Sequence, residues 1–385
     1  MDGTGAGFGA GGGMPDGNDP PEQAEAPLSA FNFEGTWREF APIAFTNLLL
    51  TIVTLGIYRF WATTRERRYL WSRSRFIDEH LEWTGVGKEL FFGFLMVAVL
   101  FGIPFLVLQF VVEALMLQGY PGAGAAVMIS MFLLIFYLSG VARFRALRYR
   151  LGRTHWRGIR GGSYEPGFKY GLSYMWKYTV GYLAMGLMVP WAMVSLWNER
   201  WGHMTFGQMR FSGQADFSPL MKRYLVAYLA PFIILVLVFV AGVAAALGLG
   251  MMEEYEPDNP ASATSFMWLF ILGMLAFYLL WGLAYLLFYA KYMRVVIGEM
   301  RLGDDISFGF SASTKDWFKL IMGDVGLVVV TLGIGWIFLS YRHWKFFITH
   351  LEAYGVIDPD ALMQSDTPMA KHGEGLLDAF DMGAI

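Results

Sequence analysis

The chain has 385 residues, of which 56% are hydrophobic, 17% aromatic and 16% charged, with a formal net charge of −3 and no cysteine. Soluble domains carry about 25% charged residues, so this composition excludes an ordinary water-soluble globule. The missing cysteines exclude disulfides, thiolate metal sites and cysteine nucleophiles.

Residues 1–30 are rich in Gly, then in Pro and acids, with no Lys, Arg or apolar run. They read as a disordered tail rather than a secretory signal. A membrane domain follows over 31–355, and 356–385 reads as a flexible C-terminal tail with a short amphipathic helix near Leu376–Phe380. Within the domain lie four long apolar runs, Leu90–Val112, Ala125–Ala142, Leu225–Met252 and Phe266–Ala290. Each approaches or exceeds the about 20 residues that a transmembrane helix needs. The first pair is joined by a Pro/Gly turn at 118–124 and the second by an acidic loop at 253–264. Pro104 predicts a kink in the first span.

Around these pairs runs a repeat. Val53-Thr54-Leu55-Gly56-Ile57 recurs as Val330-Thr331-Leu332-Gly333-Ile334, 277 positions later. The copies extend over about 37–85 and 314–355, and a more divergent copy at an offset of 130 covers about 167–213, where Gly56 meets Gly186 and Trp61 meets Trp191. Internal repeats of this kind dominate the reading of a fold. The expected class is therefore all-α, a polytopic membrane protein with four long helices in two hairpins plus three repeated elements.

Lys and Arg fix the orientation. Segments 62–88, 143–177, 198–223 and 290–319 hold six, nine, four and five of them, and the loops 113–123 and 250–265 hold none. Both termini are then cytoplasmic, and the basic segments flanking the middle copy fall on one side. A copy that enters and returns satisfies this charge pattern, with Gly56, Pro190 and Gly333 marking the breaks. Seven plain spans with a weaker charge bias is the alternative.

The core Thr54-Leu55-Gly56-Ile57-Tyr58-Arg59-Phe60-Trp61-Ala62, with Arg68-Tyr69 and Leu81-Glu82-Trp83-Thr84-Gly85 after it, resembles the YjgN family of bacterial inner-membrane proteins. That family carries a Thr-Leu-Gly-(Ile/Leu)-Tyr-x-Pro-Trp-Ala core, then a basic, aromatic helix. Phe60 stands where the family has proline, whereas the middle copy keeps Pro190-Trp191-Ala192. The resemblance covers about 31–355 and implies a multi-pass helical fold in the bacterial inner membrane. It carries no activity.

Asn47, Lys177 and Asp324 occupy one position of the three copies, in otherwise apolar sequence. Intramembrane polar residues point to function or to mutual pairing. A Lys177–Asp324 pair completed by Asn47 is one expectation, and solvated or capping residues at the interface are another. Trp61, Arg65, Arg68, Tyr69, Trp336 and Arg342 read as an interfacial aromatic-basic belt touching membrane lipid. No metal-ligand spacing, cofactor motif or nucleophile–base pattern is present, so the chain reads as no enzyme, and nothing in it fits nucleic acid. The leading expectation is a transporter- or channel-like protein with a polar site between repeats for a small solute or ion. The alternatives are a structural membrane protein organising lipid or envelope partners and, last, a lipid-acting enzyme. Oligomeric state is not encoded in any feature of the sequence.

Overall fold

The computed structural model describes residues 6–8, 30–251, 260–357 and 362–369. The expected helix near Leu376–Phe380 and most of the N-terminal tail lie outside them. The chain forms two compact units, one of residues 1–215, 296–311 and 320–385, the other of 216–295 and 312–319.

In the larger unit, strands β1 (Ala6–Phe8) and β2 (Phe31–Phe33) precede helices α1 (Trp37–Val53) and α2 (Arg59–Ser72). Strands β3 (Ser74–Phe76), β4 (Glu79–His80) and β5 (Glu82–Trp83) then lead into the first long helical pair. That pair is α3 (Gly87–Val97) continuing into α4 (Ile103–Leu117), then α5 (Pro121–Arg153). A π-turn at Ala98–Gly102 joins α3 to α4 immediately before Pro104. Proline lacks the N–H that would bond the preceding turn, and the widened turn absorbs the lost bond. After β6 (Thr154–Trp156) and β7 (Ile159–Gly162) come α6 (Phe168–Leu183), α7 (Val189–Gly202), β8 (Thr205–Phe206) and β9 (Met209–Gly213).

The smaller unit holds α8 (Met221–Gly248) and most of α9 (Pro260–Gly298). Chain returning to the larger unit forms β10 (Met300–Leu302), β11 (Ile306–Phe310), the end of α10 (Thr314–Val330), α11 (Leu339–His350) and β12 (Leu351–Ile357).

Among the described residues, four helical stretches are long and apolar enough to cross a membrane: Gly87–Leu117, Pro121–Arg153, Ser218–Gly248 and Thr264–Gly298. They contain three of the four apolar runs of the sequence and most of the fourth, Leu225–Met252, whose helix ends at Gly248. The all-α expectation is corrected by the strands. A nine-stranded antiparallel meander runs β5-β6-β7-β8-β9-β10-β11-β12, with β1 on β12, and a separate sheet joins β2, β3 and β4. These strands are two to seven residues long; apart from β1, in the stretch read as a disordered tail, and β12, they fall in aromatic, mostly basic segments that read as loops. Too short to show an alternating pattern, they are stabilised by their neighbours rather than by propensity.

Residues 362–369 correct part of the flexible C-terminal tail: they dock on β7, held by hydrogen bonds to Arg160 and Gly158.

Candidate functional site: three helical hairpins with inward polar pairs

Each repeated segment folds as a helical hairpin. The outgoing helices α1, α6 and α10 turn at Leu55-Gly56, Met185-Gly186 and Leu332-Gly333 into the returning helices. Both residues of every turn are left-handed, with φ of 50° and 91°, 52° and 82°, and 51° and 94°. The N–H of Gly56, Gly186 and Gly333 donates to the carbonyl of Thr51, Gly181 and Val328 respectively, at 2.7, 3.1 and 2.8 Å. That bond satisfies a carbonyl which a helix end would otherwise leave bare.

In hairpins one and three a threonine clamps the turn. Thr54 Oγ1 donates to Leu50 O at 2.7 Å and accepts from the Tyr58 N–H at 2.9 Å. Thr331 does the same toward Leu327 O and the Gly335 N–H, both at 2.6 Å. Ala184 stands at that position in the middle copy and cannot. Pro190 is not the break there. It lies at the second position of α7, where a missing N–H costs nothing, and the break is Met185-Gly186.

A non-glycine residue in the left-handed region costs about 1–2 kcal/mol, yet each tip carries an apolar one pointing outward. Leu55 is 94% exposed, Met185 78% and Leu332 93%. Trp336, expected at the interface, also sits at a tip, three residues past Gly333, and is exposed.

Nine residues before each turn glycine lies the predicted polar residue, buried in every copy: Asn47 at 3% exposure, Lys177 at 8% and Asp324 at 8%. Each is bonded by its own returning helix, although Asn47 Oδ1 is buried without a hydrogen-bond partner. Asn47 Nδ2 donates to Glu66 Oε1 at 3.2 Å and to Ala62 O at 3.3 Å. Lys177 Nζ donates to Glu199 Oε2 at 2.6 Å, which also accepts from Ser173 Oγ at 2.5 Å. Asp324 accepts from Arg342 Nε at 2.5 Å and hydrogen-bonds His343 Nε2 at 2.7 Å. Lys177 therefore pairs with Glu199 and not with Asp324.

Hairpins one and three are nonetheless linked. Ser340 Oγ donates to Glu66 Oε2 at 3.1 Å, and Trp71 stacks on Trp344 with centroids 4.0 Å apart. Phe40 stacks on Tyr341 in the surrounding core of Phe33, Phe60 and Trp83. The middle hairpin leans on α5 instead, through Gly140 and Gly171. A Cβ at Gly140 would lie 2.6 Å from Tyr174 Cβ.

Of the expected aromatic-basic belt, Arg65 and Arg68 are exposed and Trp61 is half-buried. Tyr69 is drawn inward, donating to Thr36 O at 2.9 Å and to Glu39 Oε2 at 3.2 Å, and Arg342 is spent on Asp324. Burial, then the Glu39 carboxylate, pushes the Tyr69 hydroxyl up to about 12. The partners Glu66, Glu199 and His343 were not singled out by sequence. Mirrored spacing would have found two of them, since Glu66 and His343 each fall ten residues after the turn glycine.

Long apolar helices, apolar hairpin tips and inward polar pairs define a helical membrane protein. A family model described as bacterial protein of unknown function (DUF898) matches residues 28–379, so the chain belongs to that family. It is 27% identical over 138 residues to the inner membrane protein YjgN of Escherichia coli O157:H7, and 25% identical over 130 residues to that of Salmonella typhimurium strain LT2. These alignments take in 36% and 34% of this chain and 32% and 30% of the relatives, so the chain matches about a third of their length. No solved structure matches it.

Proposed function

We propose that the protein is a multi-pass protein of the bacterial inner membrane whose three hairpins enter the cytoplasmic leaflet and return. In this reading it acts as a scaffold that organises the surrounding lipid. The observation that carries it is the shared hairpin geometry. Six helical residues and a three-residue turn separate the polar residue from the turn glycine in all three copies, about 9 Å of helix at about 1.5 Å per residue before the turn adds its own depth. One leaflet of a hydrocarbon core about 30 Å thick is about 15 Å deep. A tip at the midplane thus leaves the polar pair near the headgroups, and the apolar, strained tip gains a solvent that suits it. The inner-membrane names of the relatives and the confinement of Lys and Arg to one end of the spans support the location and side.

The test is nitroxide depth at Leu55, Met185 and Leu332 in phosphatidylglycerol-containing vesicles. All three should be shielded from an aqueous relaxer and exposed to oxygen. Labels relaxed from water would overturn the reading.

A second reading, a transport-like protein for a small solute or ion, is favoured by the buried charges of Lys177 and Asp324, paired with half-buried Glu199 and Arg342. It requires solute flux in proteoliposomes that Asp324→Asn alters without lowering yield. Absent flux across a panel of ions and small solutes leaves the scaffold.

A further inference from the structure

We infer that the face of β7 beside Arg160 is a groove for an extended peptide, and that residues 362–369 of the chain are its built-in occupant. The inference is independent of how the hairpins sit in a membrane. Four observations converge on it.

Arg160 is buried, and its guanidinium is directed at the segment: Nη2 donates to the carbonyls of Ser365, at 3.3 Å, and Thr367, while Nη1 donates to Thr367 Oγ1 at 3.3 Å and Gly161 O at 3.4 Å. All of these acceptors are neutral. Burial, and then the charge of Arg153, lowers its pKa, so a cation has been placed where carbonyl oxygens must be supplied to hold it.

The Gln364 side chain pairs with the strand as a backbone would. Its Oε1 accepts from the Arg160 N–H at 3.1 Å and its Nε2 donates to Gly158 O at 2.7 Å. The floor is opened by glycine: a Cβ at Gly162 would lie 2.1 Å from Thr367 Oγ1, and one at Gly207 2.5 Å from Met363 O. Arginines beyond Arg160 reach the far end, Arg148 Nη2 to Pro368 O at 3.4 Å and Arg153 Nη1 to Met369 Sδ at 3.8 Å.

Ser365 and Thr367 are buried, and their hydroxyls hydrogen-bond each other at 2.7 Å. The segment is thus read at its backbone carbonyls, by one glutamine amide and by a small hydroxyl over Gly162. Peptide recognition at a sheet edge combines main-chain bonds with side-chain pockets in the same way, although β7 here is already paired with β6 and β8 and the segment is held from its face. The partner chemistry is an extended peptide with glutamine three positions before a threonine. Occupancy by residues 362–369 keeps such a peptide out and ties the chain beyond β12 to the β6–β7 hairpin.

The experiment uses the full-length protein in nanodiscs with Gln364→Ala and Thr367→Trp, which remove the amide pairing and cannot seat over Gly162. A fluorescein-labelled peptide spanning residues 360–371 is titrated by anisotropy. The double variant should bind it saturably and the unaltered chain at least about tenfold more weakly, because its groove is filled. Replacing Gln364 or Thr367 within the peptide should weaken binding by about tenfold each. Adding Gly162→Val to the double variant should abolish binding while leaving its circular dichroism unchanged. Equal binding of a scrambled peptide, or no binding by a double variant that melts like the parent, overturns the inference.

Discussion

Hairpins one and three differ instructively from hairpin two. All three share the left-handed tip and the buried polar residue nine positions before it, but they are secured differently. The outer pair carries a threonine clamp at the turn and a shared aromatic core built on Phe40, Tyr341, Trp71 and Trp344. The middle hairpin has Ala184 in place of the clamp and relies on the Lys177–Glu199–Ser173 cluster and on close glycine packing against α5. One backbone solution is thus maintained with a threonine clamp and a shared aromatic core in two copies, and without the clamp, by packing on α5, in the third.

Substitutions can break that comparison, and the largest effect belongs to the ion pair. Lys177→Ala leaves the half-buried Glu199 without its cation and should cost about 3 kcal/mol, read as a lowered melting temperature in detergent. Lys177→Met with Glu199→Leu should recover most of the loss, whereas a double variant as unstable as the single one would refute the pairing. Gly140→Val drives a side chain into Tyr174 and should cost about 1–3 kcal/mol. The loss of protection, read by hydrogen exchange, should be confined to α5 and α6.

Thr331→Val should cost about 1 kcal/mol through the lost turn bonds. Ala184→Thr is its mirror and should stabilise the middle turn. If Ala184→Thr is destabilising, the two kinds of hairpin are not interchangeable at the turn.

The smallest effect is electrostatic. Asp78, in the turn after hairpin one, pairs with Arg157, and the hydrogen bond from Arg157 holds its carboxyl below the usual range. A depressed folded pKa contributes stability above the unfolded value of about 3.9, and the contribution disappears as pH falls through the folded value. Gln208 and Gly355 replace Asp78 in the other copies. Asp78→Asn should therefore flatten the melting-temperature decline between about pH 5 and 3 by less than about 1 kcal/mol, and Gln208→Glu should leave it unchanged.

Much of this architecture was legible in the chain. The four spans announce themselves as unbroken apolar runs, and the offsets of 277 and 130 place Asn47, Lys177 and Asp324 on equivalent helical positions. Their partners were harder to read because Glu66, Glu199 and His343 belong to helices whose apolar faces resemble interfacial ones. Only the fold-back at Leu55-Gly56 and its equivalents makes residues 19 or 22 apart meet. The sheet escaped notice because Thr205–Phe206 and Glu82–Trp83 are two-residue strands, specified by register against neighbours far along the chain. Pro190 misled for a different reason: proline breaks a helix interior but fits its first turn.

The central claim is that the hairpins enter and return on one side. The decisive measurement is impermeant-maleimide labelling of single cysteines at Lys169 and Gln208, which flank the middle hairpin in this cysteine-free chain. The outer-face control is Gly119, in the loop between the first two spans. Labelling of both flanking sites from the face opposite Gly119 is the expected result. Labelling of Lys169 and Gln208 from opposite faces would mean that the middle hairpin crosses the membrane, and would contradict the account.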